Sequence, residues 1–85
     1  MSFYVYIIKT ISSKINKTYI GYTNNLKNRI KLHNSGKGAK FTRGRKWTLI
    51  YKEKYNSKRE AISREYYIKN TRSLREKIKK KYSWK

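Results

Sequence analysis

The first long run of apolar and aromatic side chains, residues 3–8, shows no alternation with polar ones. Such a run of β-branched and aromatic residues is typical of a strand covered on both faces, so we expect it at the centre of a sheet. Residues 18–22 have the same character and follow the polar residues 12–16, a short connection that favours an antiparallel hairpin. Gly21 inside the second strand indicates a β-bulge or a close approach of another group to the backbone.

The remaining chain alternates between helical and strand patterns. Thr23 or Asn24 can cap a first helix that runs to about residue 34, with Gly36 as its stop signal. Apolar and polar side chains alternate over residues 47–53, which predicts a third strand.

Two further helices are predicted in the last third of the chain. Ser57 and Glu60 form a capping box that opens a helix to about residue 70, and residues 73–81 predict a short third helix. The order β-β-α-β-α-α favours an α+β fold, a three-stranded sheet packed by helices. With no proline and no linker-like stretch, residues 1–85 are expected to form a single domain.

Charge is the strongest compositional signal. The chain carries 24 Lys and Arg against 4 Asp and Glu, a formal net charge of +20. Such an excess weakens a fold by self-repulsion, so it indicates a polyanionic partner, DNA or RNA. No apolar run is long enough to span a bilayer and no basic stretch carries a broad apolar face, so we expect a cytoplasmic protein with no membrane partner. The charge of +20 disfavours self-association, so we expect a monomer. Without cysteine, disulfides and thiolate metal sites are excluded.

Charged side chains interrupt the apolar arcs of two predicted helices. Arg29 and His33 fall near the middle of the arc of the first helix, one turn apart. Glu65 falls inside the arc of the second helix, an arc that is formed by Ala61, Ile62, Tyr66 and Ile68. Structural explanations remain open: Arg29 can extend its charge to solvent, and His33 can be a hydrogen-bonded core residue. Glu65 can form an ion pair with Arg29 or Lys69.

The chain has only four carboxylates, and three of them have a structural explanation. Glu60 belongs to the capping box, Glu76 is spaced for helical ion pairs, and Glu53 ends a strand facing solvent or a neighbouring lysine. Glu65 is left for a divalent metal, because Mg²⁺ takes one or two carboxylates and keeps several waters. A single carboxylate permits a one-metal site and argues against a two-metal nuclease.

Two of the nine tyrosines, Tyr6 and Tyr19, lie on adjacent predicted strands that can face one helix. A phenol becomes a plausible proton acceptor only when cations or a metal lower its pKa. Without such neighbours, packing or stacking is the better explanation of both side chains.

In this order, these residues resemble the GIY-YIG nuclease family. Residues 4–6, Tyr-Val-Tyr, stand where its first triplet belongs, and residues 19–21, Tyr-Ile-Gly, match the second. The loop of residues 33–44 and the segment 60–69 are similar to those of small standalone bacterial members, and the nuclease domain of the excision-repair endonuclease is related. The further asparagine that larger members carry after the glutamate is missing here, with Asn70 as the candidate replacement. Five positions match the functional positions of the family: Tyr6, Tyr19, Arg29, His33 and Glu65.

The resemblance implies a three-stranded antiparallel sheet flanked by helices and metal-dependent hydrolysis of a DNA phosphodiester, as in DNA repair. Glu65 would hold one Mg²⁺ or Mn²⁺, and Arg29 would bind the scissile phosphate. Tyr6, Tyr19 or His33 would accept the proton of the attacking water, and Tyr6 is the preferred base.

The basic loop is expected to follow the DNA backbone without reading sequence, and an additional protein could supply targeting. Two alternatives remain: a non-catalytic DNA- or RNA-binding module on the same scaffold, and a ribosome-associated basic protein. The candidate DNA-binding residues are Lys37, Lys40, Arg43, Arg45 and Lys46.

Overall fold

The three strands form one antiparallel sheet in the order β2-β1-β3. The computed structural model describes residues 2–11 and 17–82, so the predicted polar loop at 12–16 lies outside the described residues. The elements along the chain are β1 (Phe3–Thr10), β2 (Thr18–Thr23), α1 (Leu26–Asn34), β3 (Trp47–Tyr55), α2 (Lys58–Lys69) and α3 (Arg72–Tyr82).

The predicted α+β fold and the order of its elements are confirmed. The central position of β1 follows from its unbroken apolar run, since both of its faces are covered. Its register with β3 shifts between Ile7 and Ile8. The irregularity of the sheet therefore lies there, and Gly21 has the other predicted role, a close approach.

Alternate residues of β1 supply two separate cores on opposite faces of the sheet. Tyr6 and Ile8 pack with Trp47 on the face covered by α1. Val5 and Ile7 pack on the other face, where α2 and α3 add Ala61, Ile68 and Ile78. A sheet with helices on both faces lets two different helices bring side chains to the same edge of the sheet, along β2.

The caps of the helices differ in one place from the prediction. Asn25, and not Thr23 or Asn24, caps α1: its side-chain oxygen accepts from the backbone N–H of Asn28 at 3.1 Å. Thr23 instead accepts from the backbone N–H of Asn25 at 3.1 Å, which forms the turn before the helix. The capping box of α2 is confirmed, because the Ser57 hydroxyl accepts from the backbone N–H of Glu60 at 3.2 Å.

The apolar arc predicted for α2 is too wide. Ala61 and Ile68 are buried, but Ile62 and Tyr66 are exposed. A three-stranded sheet is narrow, and α2 buries only the stripe that runs through Ala61 and Ile68. Among the described residues, no helix has the length and apolar character needed to cross a membrane.

Candidate active site

Four of the five residues predicted to act together line one open pocket of about 570 Å³. Tyr6 and Tyr19 enter it from the sheet, Arg29 from α1 and Glu65 from α2. The pocket lies along the edge strand β2, where residues from α1 and α2, which cover opposite faces of the sheet, both line it. These four residues thus contribute a guanidinium, a carboxylate and two phenols to the pocket, from four different elements.

Gly21 makes room for the Tyr6 ring in this pocket. The two residues are paired across β1 and β2, and a Cβ on Gly21 would lie 2.6 Å from the Tyr6 hydroxyl oxygen and 2.8 Å from its Cζ. The same atom would lie 3.1 Å from the Tyr19 ring. A side chain at this position would therefore displace the phenol, which explains why glycine follows the second tyrosine.

His33 lies behind Tyr6 and does not line the pocket. Its ring is buried, with Nε2 at 2.7 Å from the Tyr6 hydroxyl oxygen and Nδ1 at 2.9 Å from the Thr42 hydroxyl oxygen. The interpretation of His33 as a hydrogen-bonded core residue is therefore correct for its surroundings. His33 contacts two pocket residues, through its hydrogen bond with the Tyr6 hydroxyl and through the Tyr19 ring, whose centroid is 5.0 Å from its own.

The loop between α1 and β3 closes over the other side of the His33 ring. A Cβ on Gly38 would lie 2.4 Å from His33 Nδ1 and 2.9 Å from its Cα, so only glycine allows this contact. Thr42 is buried, and the Trp47 indole N–H donates to its carbonyl oxygen at 3.0 Å. The side chain of Asn34 holds the end of the loop by bonding both backbone groups of Trp47.

Burial keeps both hydrogen-bonded partners in their neutral forms. It raises the pKa of Tyr6 well above its ordinary value, with further increases from Tyr19 and Glu65, and the opposing effect of Arg29 is smaller. The pKa of His33 is lowered, first by burial and then by the Arg29 charge. Arg29 thus acts on Tyr6 in the predicted direction, but burial outweighs it, and the phenol needs an acceptor before it can give up its proton.

Glu65 is the carboxylate of the pocket. Its side chain is largely buried, and Lys69 lies one turn away with its Nζ at 3.5 Å from a carboxylate oxygen. The alternative of an ion pair with Lys69 is therefore realised, at long distance and with an exposed lysine. No group of three or more His, Cys, Asp or Glu is found within residues 2–11 and 17–82. One carboxylate in an open pocket fits a hard cation such as Mg²⁺ or Mn²⁺, which keeps several waters.

The prediction for Glu53 is wrong: it faces neither solvent nor a lysine. Arg64 donates to both of its oxygens, at 2.8 and 3.0 Å, and the hydroxyls of Tyr51 and Tyr55 donate to it as well. Burial raises the pKa of Glu53, but these hydrogen bonds outweigh it and hold the pKa below its ordinary value. Burial and the bond to Glu53 raise the pKa of Tyr55 to about 12. Each Glu53 oxygen thus accepts two hydrogen bonds. Glu53 therefore joins β3 to α2 and has no lone pair left to bind a metal.

The predicted DNA-binding cations lie on the loop that covers His33. Arg45 makes contacts within the protein: its Nη1 donates to the Phe41 carbonyl oxygen at 2.9 Å, and its guanidinium lies over the Phe41 ring. Phe41 is exposed and stacks against Tyr19, with ring centroids 6.2 Å apart, so the loop adjoins the pocket. The other four are exposed: Lys37, Lys40, Arg43 and Lys46.

Sequence reasoning missed several contributors to this site. Lys58, at the start of α2, lines the pocket as a second cation. Gly38 and Thr42 hold His33, and their only sequence signal was membership of the family-like loop. Asn70, the candidate replacement for the missing asparagine, caps α2, where its side chain donates to the Tyr66 carbonyl oxygen at 2.8 Å.

Comparisons with known proteins agree with this geometry. The chain matches the GIY-YIG catalytic domain over residues 2–82. It is 58% identical over 67 residues to the UPF0213 protein CPE1444 of Clostridium perfringens, covering 78% of this chain and 69% of the relative. It is 51% identical over 77 residues to the UPF0213 protein SH2523 of Staphylococcus haemolyticus, covering 89% of each chain.

A solved structure shows the same fold. The solution NMR structure of the UPF0213 protein BH0048 from Bacillus halodurans superposes with a TM-score of 0.54 at 41% identity, covering 92% of this chain and 82% of that protein. The match to the family extends over nearly all of the chain, including every residue of the pocket. The chain therefore belongs to the GIY-YIG catalytic domain family.

Proposed function

We propose that this protein is a metal-dependent DNA endonuclease or nickase that hydrolyses phosphodiester bonds with a single Mg²⁺ or Mn²⁺. The observation that carries the proposal is the pocket shared by Tyr6, Tyr19, Arg29 and Glu65. It combines a guanidinium for a phosphate, one carboxylate for a metal, and hydroxyls for proton transfer. Membership of the GIY-YIG family supports the same chemistry.

Arg29 is assigned to the scissile phosphate. Its planar guanidinium can bind two phosphate oxygens, and it stabilises the negative charge that develops when the bond breaks. Lys58 lines the same pocket and adds a second positive charge. Glu65 would hold the divalent ion, which supplies charge neutralisation and a more acidic water when bound.

Tyr6 is assigned to accept the proton of the attacking water. Because its own pKa is raised by burial, it cannot hold the negative charge unaided at neutral pH. The hydrogen bond to His33 at 2.7 Å offers an exit for the phenolic proton. Tyr19 lines the pocket next to Tyr6, with ring centroids 6.4 Å apart, and is assigned to position the water or the phosphate.

Exposed cations on the loop at residues 37–46 would bind the DNA backbone on either side of the cut. Phosphate contacts of this kind position the nucleic acid without reading its sequence. The exposed ring of Phe41 among these cations offers a surface on which a base can stack. DNA is the proposed partner, with RNA as the alternative polyanion.

One observation favours a second candidate, a non-catalytic nucleic-acid-binding module. Lys69 lies within 3.5 Å of Glu65 and already supplies a positive charge to the carboxylate. In such a module Lys69 would take the place of the metal. The open pocket around Glu65 leaves room for a hydrated ion, which is why catalysis is our first choice.

The two candidates are separated by incubating the protein with supercoiled, branched and single-stranded DNA in Mg²⁺, Mn²⁺ or EDTA. A nuclease cuts at least one substrate with a metal and none in EDTA. Arg29→Ala should abolish cutting and leave most of the binding, because the loop cations remain. Tight binding with no cutting in any metal would favour the binding module.

A further inference from the structure

We propose that Thr42 is a positioning residue that holds His33 in the tautomer with its proton on Nδ1. In this tautomer Nε2 is free to accept the hydrogen bond of Tyr6 and then its proton. The assignment of the tautomer stands on hydrogen bonding alone, and the proton transfer rests on the proposed function.

The Thr42 hydroxyl oxygen has three hydrogen-bond contacts. It lies 2.9 Å from the Ala39 carbonyl oxygen, 3.2 Å from the Ala39 backbone nitrogen and 2.9 Å from His33 Nδ1. The hydroxyl has one proton to donate and two lone pairs that accept. Donating to the Ala39 carbonyl uses the proton, so its lone pairs accept from the Ala39 N–H and from His33 Nδ1–H.

The proton on Nδ1 makes the other ring nitrogen, Nε2, a hydrogen-bond acceptor. A neutral imidazole with its proton on Nδ1 has a lone pair on Nε2. The Tyr6 hydroxyl, 2.7 Å away, is then the donor of that hydrogen bond. Burial supports neutral forms on both sides, since it raises the pKa of Tyr6 and lowers that of His33.

The opposite tautomer would prevent the proposed chemistry. With its proton on Nε2, His33 would donate to the Tyr6 oxygen, and the phenolic proton would have no acceptor behind it. Thr42 thus resembles the orienting partner of a general-base histidine. Such a partner bonds the ring nitrogen that is far from the reaction and thereby fixes the tautomer.

The proposed reaction moves two protons, one from water to Tyr6 and one from Tyr6 to His33. Tyr6 accepts a proton from the attacking water, and its own O–H bond breaks as a new N–H bond forms on His33 Nε2. Tyr6 ends as a neutral phenol and His33 as an imidazolium with both nitrogens protonated. The Thr42 oxygen still accepts from Nδ1–H, so its hydrogen bonds need no rearrangement.

Gly38 brings the loop close enough for this contact. A Cβ on Gly38 would lie 2.4 Å from His33 Nδ1, inside the space that the ring occupies. The loop backbone therefore packs directly on the ring, and His33 and Thr42 are both almost fully buried. Buried polar groups are hydrogen-bonded, and the Thr42 oxygen at 2.9 Å is the partner of the buried Nδ1.

The test is long-range ¹H–¹⁵N NMR of the imidazole, because the chain contains one histidine and its signals need no assignment. At pH 7.5 the wild type should show a pyrrole-type Nδ1 and a pyridine-type Nε2. Thr42→Ser should keep this pattern, and Thr42→Val should lose it, with the proton moving to Nε2. A wild-type protein protonated on Nε2, or an unchanged pattern in Thr42→Val, would overturn the proposal.

Cleavage of DNA gives a second readout. Thr42→Val should lower kcat by about 10²-fold, the usual contribution of general acid–base groups, with KM little changed, and Thr42→Ser should restore it. If Thr42→Val does not fold, the wild-type spectrum alone still decides the tautomer. A wild type that cuts no DNA would remove the proposed function and leave the tautomer assignment standing, so the two failures are distinguishable.

Discussion

The Tyr6 phenol lies directly against the backbone of Gly21, its partner across the strands β1 and β2. A single methyl group on Gly21 would come within 2.6 Å of the hydroxyl oxygen that bonds His33. Glycine is thus required here by the position of a side chain on the neighbouring strand. The backbone of Gly21 itself lies in the strand and needs no special conformation.

Gly21→Ala should lower DNA cleavage by about 10²-fold, because displacing a reacting group by about 1 Å has an effect of this size. Single-turnover rates measure the loss. In a Tyr6→Phe background, Gly21→Ala should cause a smaller loss, since the hydroxyl that it displaces most is already gone and the contact with Tyr19 is longer. Independent, additive losses would show that Gly21 does not act through Tyr6.

Glu53→Gln and Glu65→Gln should change different properties: the first should lower stability, and the second should remove cleavage. Glu53 accepts charge-assisted hydrogen bonds from Arg64, so Glu53→Gln should lower the free energy of unfolding by about 2 kcal/mol and leave cleavage intact. Glu65 has one long contact to an exposed lysine, so Glu65→Gln should change stability by less than about 0.5 kcal/mol and remove cleavage.

Urea denaturation measures the stability of both variants, and cleavage assays measure their activity. Glu60→Gln, in the exposed capping box, is the matched control for the loss of one carboxylate. A nuclease that depends on Glu53 and not on Glu65 would show that the metal site has been assigned to the wrong carboxylate.

Stability should rise with pH just below neutrality because of His33. The folded pKa lies below the ordinary value of 6.5, so on acidification the unfolded chain takes up a proton before the folded one does. The contribution is fully present above pH 6.5 and is lost as the pH falls towards the folded pKa, with a slope of at most about 1.4 kcal/mol per pH unit for one group.

Urea titrations at several pH values between 5 and 8 measure this slope. His33→Gln should flatten it, because the chain has no second histidine. Stability that increases on acidification in this range would mean that His33 is charged in the folded protein, contrary to the neutral hydrogen-bonded ring described above.

The affinity for DNA should fall steeply with salt, since each neutralised phosphate releases a counterion. Two arginines on the same loop allow a matched comparison, because Arg43 is exposed and Arg45 donates a hydrogen bond to the Phe41 carbonyl oxygen. Arg43→Gln should reduce the slope of log K against log salt by about one. Arg45→Gln should reduce it less and should loosen the loop around Phe41.

Fluorescence anisotropy of labelled oligonucleotides over a range of salt concentrations measures both slopes. Affinity that does not change with salt would contradict a phosphate-binding loop. Equal slopes for the two variants would mean that Arg45 leaves the Phe41 carbonyl to bind DNA.

The fold could be predicted well because its signals are local. The unbroken apolar run of β1, the hairpin spacing and the capping box at Ser57 each act over a few residues, and each is confirmed. The prediction for the cap of α1 is wrong by one or two residues, because Thr23 bonds the backbone of Asn25 and Asn25 caps the helix.

The site was harder to predict because its contacts are distant in sequence. Glu53 on β3 meets Arg64 on α2, and Tyr6 on β1 meets His33 on α1, 27 residues away along the chain. Placing Tyr6, Arg29 and Glu65 together relied on the family resemblance, which encodes tertiary contacts that periodicity does not contain. Thr42 had no signal of its own, since a buried threonine on a basic loop looks like any polar loop residue.

The most direct test of the proposed nuclease is single-turnover cleavage by the wild type and Glu65→Gln, side by side in Mg²⁺ and Mn²⁺ on the best DNA substrate. The structure predicts metal-dependent cutting by the wild type and by Glu60→Gln, and none by Glu65→Gln, while all three bind DNA with similar affinity. Cleavage by Glu65→Gln at the wild-type rate would contradict the assignment of the pocket as the catalytic site.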